Sequence, residues 1–116
     1  MQAAVIVLVL AAIGGLTLAA IRLSGKPRPP LWLALVHGAV AATGVGLLIY
    51  AAASEGIPTL ALVALGIFIL AALGGAVLFL GFHLQRKALP IPFVLGHGLI
   101  AATGLVLLLL SYFGVA

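Results

Sequence analysis

Four long apolar runs, separated by three short polar turns, constrain the fold of this 116-residue chain more than any other feature. The runs cover about residues 3–23, 31–53, 59–84 and 91–113. A transmembrane helix needs about 20 apolar residues to cross a hydrocarbon core of ~30 Å, so each run is long enough to span a membrane. Only 5% of the residues are charged, which is too few to cover a soluble domain of this size. The sequence therefore predicts one integral membrane domain over residues 1–116.

The turns between the runs determine the expected topology. They cover about residues 24–30, 54–58 and 85–90 and contain most of the prolines and all of the charges except Arg22. Connections this short place helices that are neighbours in sequence antiparallel. We therefore expect an all-α, four-transmembrane-helix bundle with up-down-up-down topology. The first run lacks a preceding basic segment and is longer than the apolar region of a signal peptide, so we expect it to be retained as a helix.

The chain also contains an internal repeat, visible when it is shifted by sixty residues without gaps. Leaving aside Leu and Ala matches, the recurring positions are Gly14-Gly15 with Gly74-Gly75, Pro30 with Pro90, His37-Gly38 with His97-Gly98, and Thr43-Gly44 with Thr103-Gly104. Repeat 1 covers residues 3–53 and repeat 2 covers 59–113. Each repeat is one helical hairpin, so the two copies are expected to be parallel and related by an axis along the membrane normal.

The basic residues predict the orientation in the membrane. They flank the first and third turns, as Arg22, Lys26, Arg28, Arg86 and Lys87, whereas Glu55, the only acidic residue, lies in the middle turn. By the positive-inside rule, both basic turns are cytoplasmic and both termini lie outside. We expect the protein in a bacterial inner membrane. Five basic residues without interleaved aromatic residues do not form a nucleic-acid surface, so no nucleic-acid partner is expected.

Two histidines within the runs are the main candidates for function. His37 and His97 occupy equivalent positions of the second and fourth runs, about six residues or on the order of 9 Å beyond the start of each helix. A histidine is expensive inside a bilayer and usually faces the bundle interior. Because the second and fourth helices are diagonal in such a bundle, the two imidazoles are expected to face each other. Alternatively, each histidine simply bonds a backbone carbonyl or a threonine on a neighbouring helix.

Small residues are expected to surround these histidines. Gly14, Gly15, Gly74 and Gly75 lie at nearly the same depth on the first and third helices, and the histidine-bearing faces continue with Ala41, Gly44, Ala101 and Gly104. The usual role of small residues in membrane helices is close packing. The functional alternative is that they make room for the edges of a flat macrocycle between His37 and His97.

The side-chain inventory limits what the histidines could bind. Two imidazoles without a thiolate or carboxylate make an incomplete zinc site, whereas haem iron brings four ring nitrogens and needs only axial ligands. The chain has no cysteine, which excludes covalent attachment of a c-type haem. We therefore predict one non-covalent haem b with His37 and His97 as metal ligands and with Arg22 and Arg86 near its propionates. A chlorophyll-type tetrapyrrole is a lesser alternative. His83 is expected to be an interfacial histidine, or else a contact to a propionate or a quinone head group.

With these histidines and glycines, the chain resembles small four-helix b-type cytochromes of membranes, including haem-bearing anchor subunits of respiratory enzymes and cytochrome b561-like proteins. It departs from the two-haem members because it has one intramembrane histidine pair. The resemblance implies electron exchange with a quinone pool or a redox partner subunit, and not an enzyme on its own.

Two other functions remain open at the level of sequence. The first is a cofactor-free structural or assembly subunit, present as a homo-oligomer or within a larger complex and held by small-residue packing. The second is a small transporter, because small multidrug exporters also have four helices in a chain of similar length. Those exporters depend on a glutamate within the first helix, and the only acidic residue here, Glu55, lies in a turn.

Overall fold

The computed structural model describes residues 1–115, and within them the chain forms four long helices and no strand. These are α1 (Gln2–Leu23), α2 (Leu31–Ser54), α3 (Thr59–Leu78) and α4 (Ile91–Tyr112), with α3 extended by a π-helical turn (Phe79–His83). Each helix is long and apolar enough to cross a membrane. The prediction of an all-α, four-transmembrane-helix bundle is confirmed, and the observed helices end within one residue of the apolar runs.

Proline positions explain where the helices begin. Pro30, Pro58 and Pro90 are the residues that immediately precede α2, α3 and α4. Proline has no backbone N–H, and the first N–H groups of a helix lack intrahelical acceptors, so proline is tolerated here and not further along the helix. The first and middle turns also contain Gly25 and Gly56 at positive φ, a conformation that other residues rarely adopt.

The helices form two hairpins that pack side by side. α1 packs along α2 and α3 along α4, and the hairpins then meet through α1 against α4 and α2 against α3. This arrangement leaves α2 and α4 on a diagonal of the bundle. The long dimension of the molecule is 42 Å, which matches the ~40–45 Å thickness of a bilayer with its headgroup regions.

The best-packed core lies toward the end of the bundle that carries the middle turn. Leu48 of α2 and Leu108 of α4, which are equivalent in the two repeats, are both fully buried there. Ala61 and Ala64 of α3 and Phe68 complete the contact between the hairpins. The small alanine side chains allow the helices to approach closely, as is usual for membrane helices.

The outer surface of the bundle is apolar and is therefore suited to contact with lipid. Leucine, isoleucine and valine side chains are exposed along all four helices. Trp32 and Phe93 are exposed near the end with the first and third turns, and Tyr50 and Phe113 near the opposite end. Aromatic residues at two levels are typical of the interfaces of a membrane protein. The chain is an integral membrane protein that contacts the lipid bilayer.

Candidate functional site

The two intramembrane histidines meet across the bundle. The ring centres of His37 and His97 are 6.4 Å apart, and the ring planes are nearly perpendicular at 84°. Their helices, α2 and α4, lie on a diagonal, so the side chains reach toward each other across the interior. Both side chains are half-buried.

The paired glycines lie directly against these imidazoles. A Cβ atom added at Gly15 would lie 3.0 Å from Cε1 of His37, and one added at Gly75 would lie 3.1 Å from Cε1 of His97. Both distances are shorter than ordinary van der Waals contacts, so each glycine leaves space that the imidazole occupies. Each glycine pair thus contacts the histidine of its own hairpin, and the arrangement is nearly the same in the two repeats.

Backbone carbonyls orient the histidine rings. Nδ1 of His37 lies 2.9 Å from the carbonyl oxygen of Ala11 on α1. Because a carbonyl oxygen only accepts hydrogen bonds, Nδ1 carries the proton and Nε2 has a free lone pair. The equivalent backbone contact of His97 is with Ala71 on α3, but Nδ1 of His97 is buried and has no hydrogen-bond partner among the described residues.

The two threonines of the repeated motif do not contact the histidines through their hydroxyl groups. Thr43 donates a hydrogen bond of 2.8 Å to the carbonyl of Ala39, and Thr103 donates one of the same length to the carbonyl of Leu99. Both bonds stay within the threonine's own helix. Of the two simple alternatives for the histidines, the structure contains the bond to a backbone carbonyl for His37.

The small residues that follow the histidines lie deeper in the bundle. Gly44 and Gly104 are buried, whereas Ala41 and Ala101 are half-buried. Gly44 packs against α1, and Gly104 packs against α3. A Cβ atom at Gly44 would lie 2.7 Å from Leu8, and one at Gly104 would lie 3.3 Å from Phe68. These contacts favour close helix packing within each hairpin as the role of both glycines.

The chain supplies few metal donors. Within residues 1–115 no group of three or more histidine, cysteine, aspartate or glutamate side chains could hold a metal ion. A metal bound at His37 and His97 would therefore need further ligands from a cofactor.

The two predicted arginines lie at the basic end of the bundle, the end that carries the first and third turns. Arg22 donates a hydrogen bond of 2.8 Å from Nε to the carbonyl of Leu89, and the Leu89 amide donates one of 3.0 Å to the carbonyl of Pro27. Arg22 therefore joins the first turn to the third. Arg86 is exposed and has a φ of 56°, which is unusual for a residue other than glycine.

His83 is more deeply buried than a simple interfacial histidine would be. It lies in the π-helical turn, is 9% exposed and stacks on Phe79 with ring centres 5.6 Å apart. Nε2 donates a hydrogen bond of 2.8 Å to the carbonyl of Pro29, and Nδ1 has no partner among the described residues. The only sequence signal is a departure from the repeat, because the equivalent residue is Leu23.

The fold and the facing histidines define the class of this chain as a four-helix integral membrane protein with a histidine pair in its interior. Comparisons with family models, with curated proteins and with solved structures found no match. Its function is therefore inferred from the geometry of the site.

Proposed function

We propose that the protein is a membrane b-type haem protein that carries electrons to or from a quinone pool or a redox partner subunit. In this proposal, His37 and His97 would hold the iron of a single haem. The observation that supports it most directly is the meeting of two equivalent imidazoles, from diagonal helices, at a ring-centre distance of 6.4 Å.

The spacing of the rings is compatible with ligation of one metal from opposite sides. Imidazole nitrogens bind metal ions at about 2 Å, which places two such ring centres roughly 6 Å apart. The observed 6.4 Å lies close to this value. Perpendicular ring planes present no obstacle, because ligation of one metal from opposite sides does not require the two ring planes to be parallel.

The hydrogen bond of His37 leaves the correct nitrogen free. When Nδ1 donates to the Ala11 carbonyl, Nε2 keeps its lone pair and the ring cannot rotate freely. Histidines that bind metals usually donate their other N–H to a carbonyl or carboxylate in this way. The same role is expected of the Ala71 carbonyl toward His97.

The glycines supply room beside the imidazoles. A side chain at Gly15 or Gly75 would press against the imidazole of His37 or His97 and would require that ring to shift. In this proposal, a flat macrocycle between the two histidines would extend sideways between the helices at the level of these glycines. The apolar residues farther along the bundle keep water away from this region.

With His37 and His97 both bound, the haem would supply one-electron transfer and would not bind oxygen. The chain itself would hold and orient the two nitrogens. Arg22 and Arg86, at the nearer end of the bundle, would lie toward the propionates. A chlorophyll-type tetrapyrrole is a variant of the proposal, since one imidazole ligates one magnesium ion.

One observation favours a cofactor-free structural or assembly subunit instead. Gly38, Ala42 and Gly46 lie one helical turn apart along the exposed face of α2, and open space surrounds both glycines. Rows of small residues allow membrane helices from different chains to approach closely. In that case the contact between His37 and His97 serves packing alone.

Absorption spectra of the detergent-purified protein, oxidised and dithionite-reduced, distinguish these functions. We expect a sharp reduced α-band at one haem per chain, lost in His37→Ala and in His97→Ala. His83→Gln, which changes the third histidine, is the matched control and should keep the band. A folded protein that is colourless and takes up no added haem would overturn the proposal and favour the cofactor-free subunit. A magnesium tetrapyrrole spectrum would replace haem with the chlorophyll-type variant.

A further inference from the structure

A cleft of about 550 Å³ opens at the basic end of the bundle, between the first turn and the end of the π-helical turn. Neither His37 nor His97 is among its lining residues. The polar residues that line it are Lys26, Arg28, His83 and Arg86. The cleft is thus separate from the site of the histidine pair.

The cleft is strongly cationic. Lys26, Arg28 and Arg86 all line it, and no acidic side chain does. The only acidic side chain in the sequence, Glu55, belongs to the middle turn at the opposite end of the bundle. Nη1 of Arg28 is buried and has no hydrogen-bond partner among the described residues. A buried charged donor without a partner is unfavourable, so this arrangement favours an external anion.

His83 adds a second unpartnered polar group. The residue is nine-tenths buried, lines the cleft and uses Nε2 to bond the carbonyl of Pro29. Nδ1 is the nitrogen that remains, and it has no partner within the described part of the chain. A neutral imidazole accepts through Nδ1 from a P–OH group, and a protonated one donates to a phosphate oxygen. A phosphate group therefore suits Nδ1 in either protonation state.

The residues that form the cleft do not follow the internal repeat. The residues equivalent to His83 and Arg28 are Leu23 and Ala88, which have apolar side chains. The helix also differs locally, because residues 79–83 form a π-helical turn whereas their equivalents in α1 are α-helical. π-helical turns are rare in proteins, and those that do occur are often found at functional sites. The two repeats therefore differ at the residues that form this cleft.

We propose that the cleft binds a phosphate group, either that of an anionic lipid headgroup or that of a free phosphate ion. Arginine guanidinium groups bind phosphate through paired, charge-assisted hydrogen bonds. Leu31 and Leu84, which also line the cleft, are exposed apolar side chains at the helix ends, so the cleft lies where lipid chains meet headgroups. This proposal does not depend on haem binding.

The test uses the full chain in a neutral detergent with two probes. Titration calorimetry measures the binding of inorganic phosphate, and native mass spectrometry compares the retention of phosphatidylglycerol with that of phosphatidylcholine. We expect saturable retention of phosphatidylglycerol and a loss of about tenfold or more in affinity for Arg28→Gln. His83→Phe removes Nδ1 and should also weaken binding. Lys87→Gln is the matched control, because it removes the same charge at the same end of the bundle from a residue that does not line the cleft.

The outcomes separate the sources of the phosphate group. Retention of the lipid without binding of inorganic phosphate supports a lipid site, and binding of both supports recognition of the phosphate group alone. Failure to bind either probe would overturn the proposal, as would an equal loss in Lys87→Gln, which would indicate diffuse attraction to basic turns. Thermal unfolding verifies that the variants are folded. If Arg28→Gln does not fold, Arg86→Gln replaces it in the test, because Arg86 lies at an exposed position.

Discussion

Gly15 lies so close to the imidazole of His37 that a Cβ atom at this position would stand 3.0 Å from Cε1 of the ring. The side chain of His37 is held between this glycine backbone and the carbonyl oxygen of Ala11 one turn earlier on α1. The orientation of the ring thus depends on the backbone of a neighbouring helix, and changes to that backbone should move the ring.

We expect Gly15→Val to displace the His37 imidazole and to destabilise the protein by about 1–3 kcal/mol, because the added methyl groups overfill an occupied space. Thermal unfolding in detergent measures the destabilisation, and the reduced α-band measures loss of the proposed haem. Gly38→Val is the matched control, since open space surrounds Gly38. Equal effects of the two variants would contradict a specific role for Gly15.

A substitution at Gly44 is expected to affect a leucine side chain instead of a histidine. A Cβ atom here would lie 2.7 Å from Leu8. Gly44→Ala should therefore destabilise the α1–α2 hairpin by about 1–3 kcal/mol. Combining it with Leu8→Ala should produce a smaller loss than the sum of the two single changes, since the shortened side chain removes the collision. Additive losses in unfolding experiments would show that the two residues do not compete for space.

The tautomer of His37 can be measured directly. Since Nδ1 donates to the Ala11 carbonyl, the cofactor-free protein should have a protonated Nδ1 and an unprotonated Nε2. Nitrogen-15 chemical shifts of the histidine side chains distinguish the two neutral tautomers, and the assignment follows from the spectrum of His37→Ala. A proton on Nε2 would contradict the hydrogen bond and would leave that nitrogen unable to bind a metal.

The predicted orientation in the membrane can be tested with single cysteines, because the chain contains none. Ser24 and Ser54 are both exposed, at opposite ends of the bundle. If both basic turns are cytoplasmic, a membrane-impermeant maleimide should label Ser54→Cys in intact cells and should label Ser24→Cys only after the membrane is opened. The reverse pattern would show that the basic turns face outward.

Features that depend on the order of residues along the chain could be predicted well. The length of the apolar runs indicated four helices, and the shortness of the turns indicated antiparallel neighbours. The repeat placed His37 and His97 at one depth on diagonal helices, and the structure brings these rings together. Each of these inferences needs only the distance that the chain travels along a helix or through a turn.

Features that depend on the rotation of each helix about its axis were harder to predict. The depth of Gly15 along α1 predicted that it would lie near His37, but the pattern of residues did not show that Gly44 would lie against Leu8. In a soluble protein, an apolar stripe identifies the buried face of a helix. Here lipid and core are both apolar, so nearly every position is apolar and the buried face carries little signal.

The sequence by itself determined that this chain is a duplicated four-helix membrane protein with two equivalent histidines, because span length and repetition are properties of the linear chain. Only the tertiary structure decided that the histidines face each other at 6.4 Å and that His83 and Arg28 line one cleft. Arg28 lies in the first turn and His83 in the π-helical turn, and these two segments are separate in sequence. Their meeting depends on how the two hairpins pack against each other, which is decided by contacts between helices.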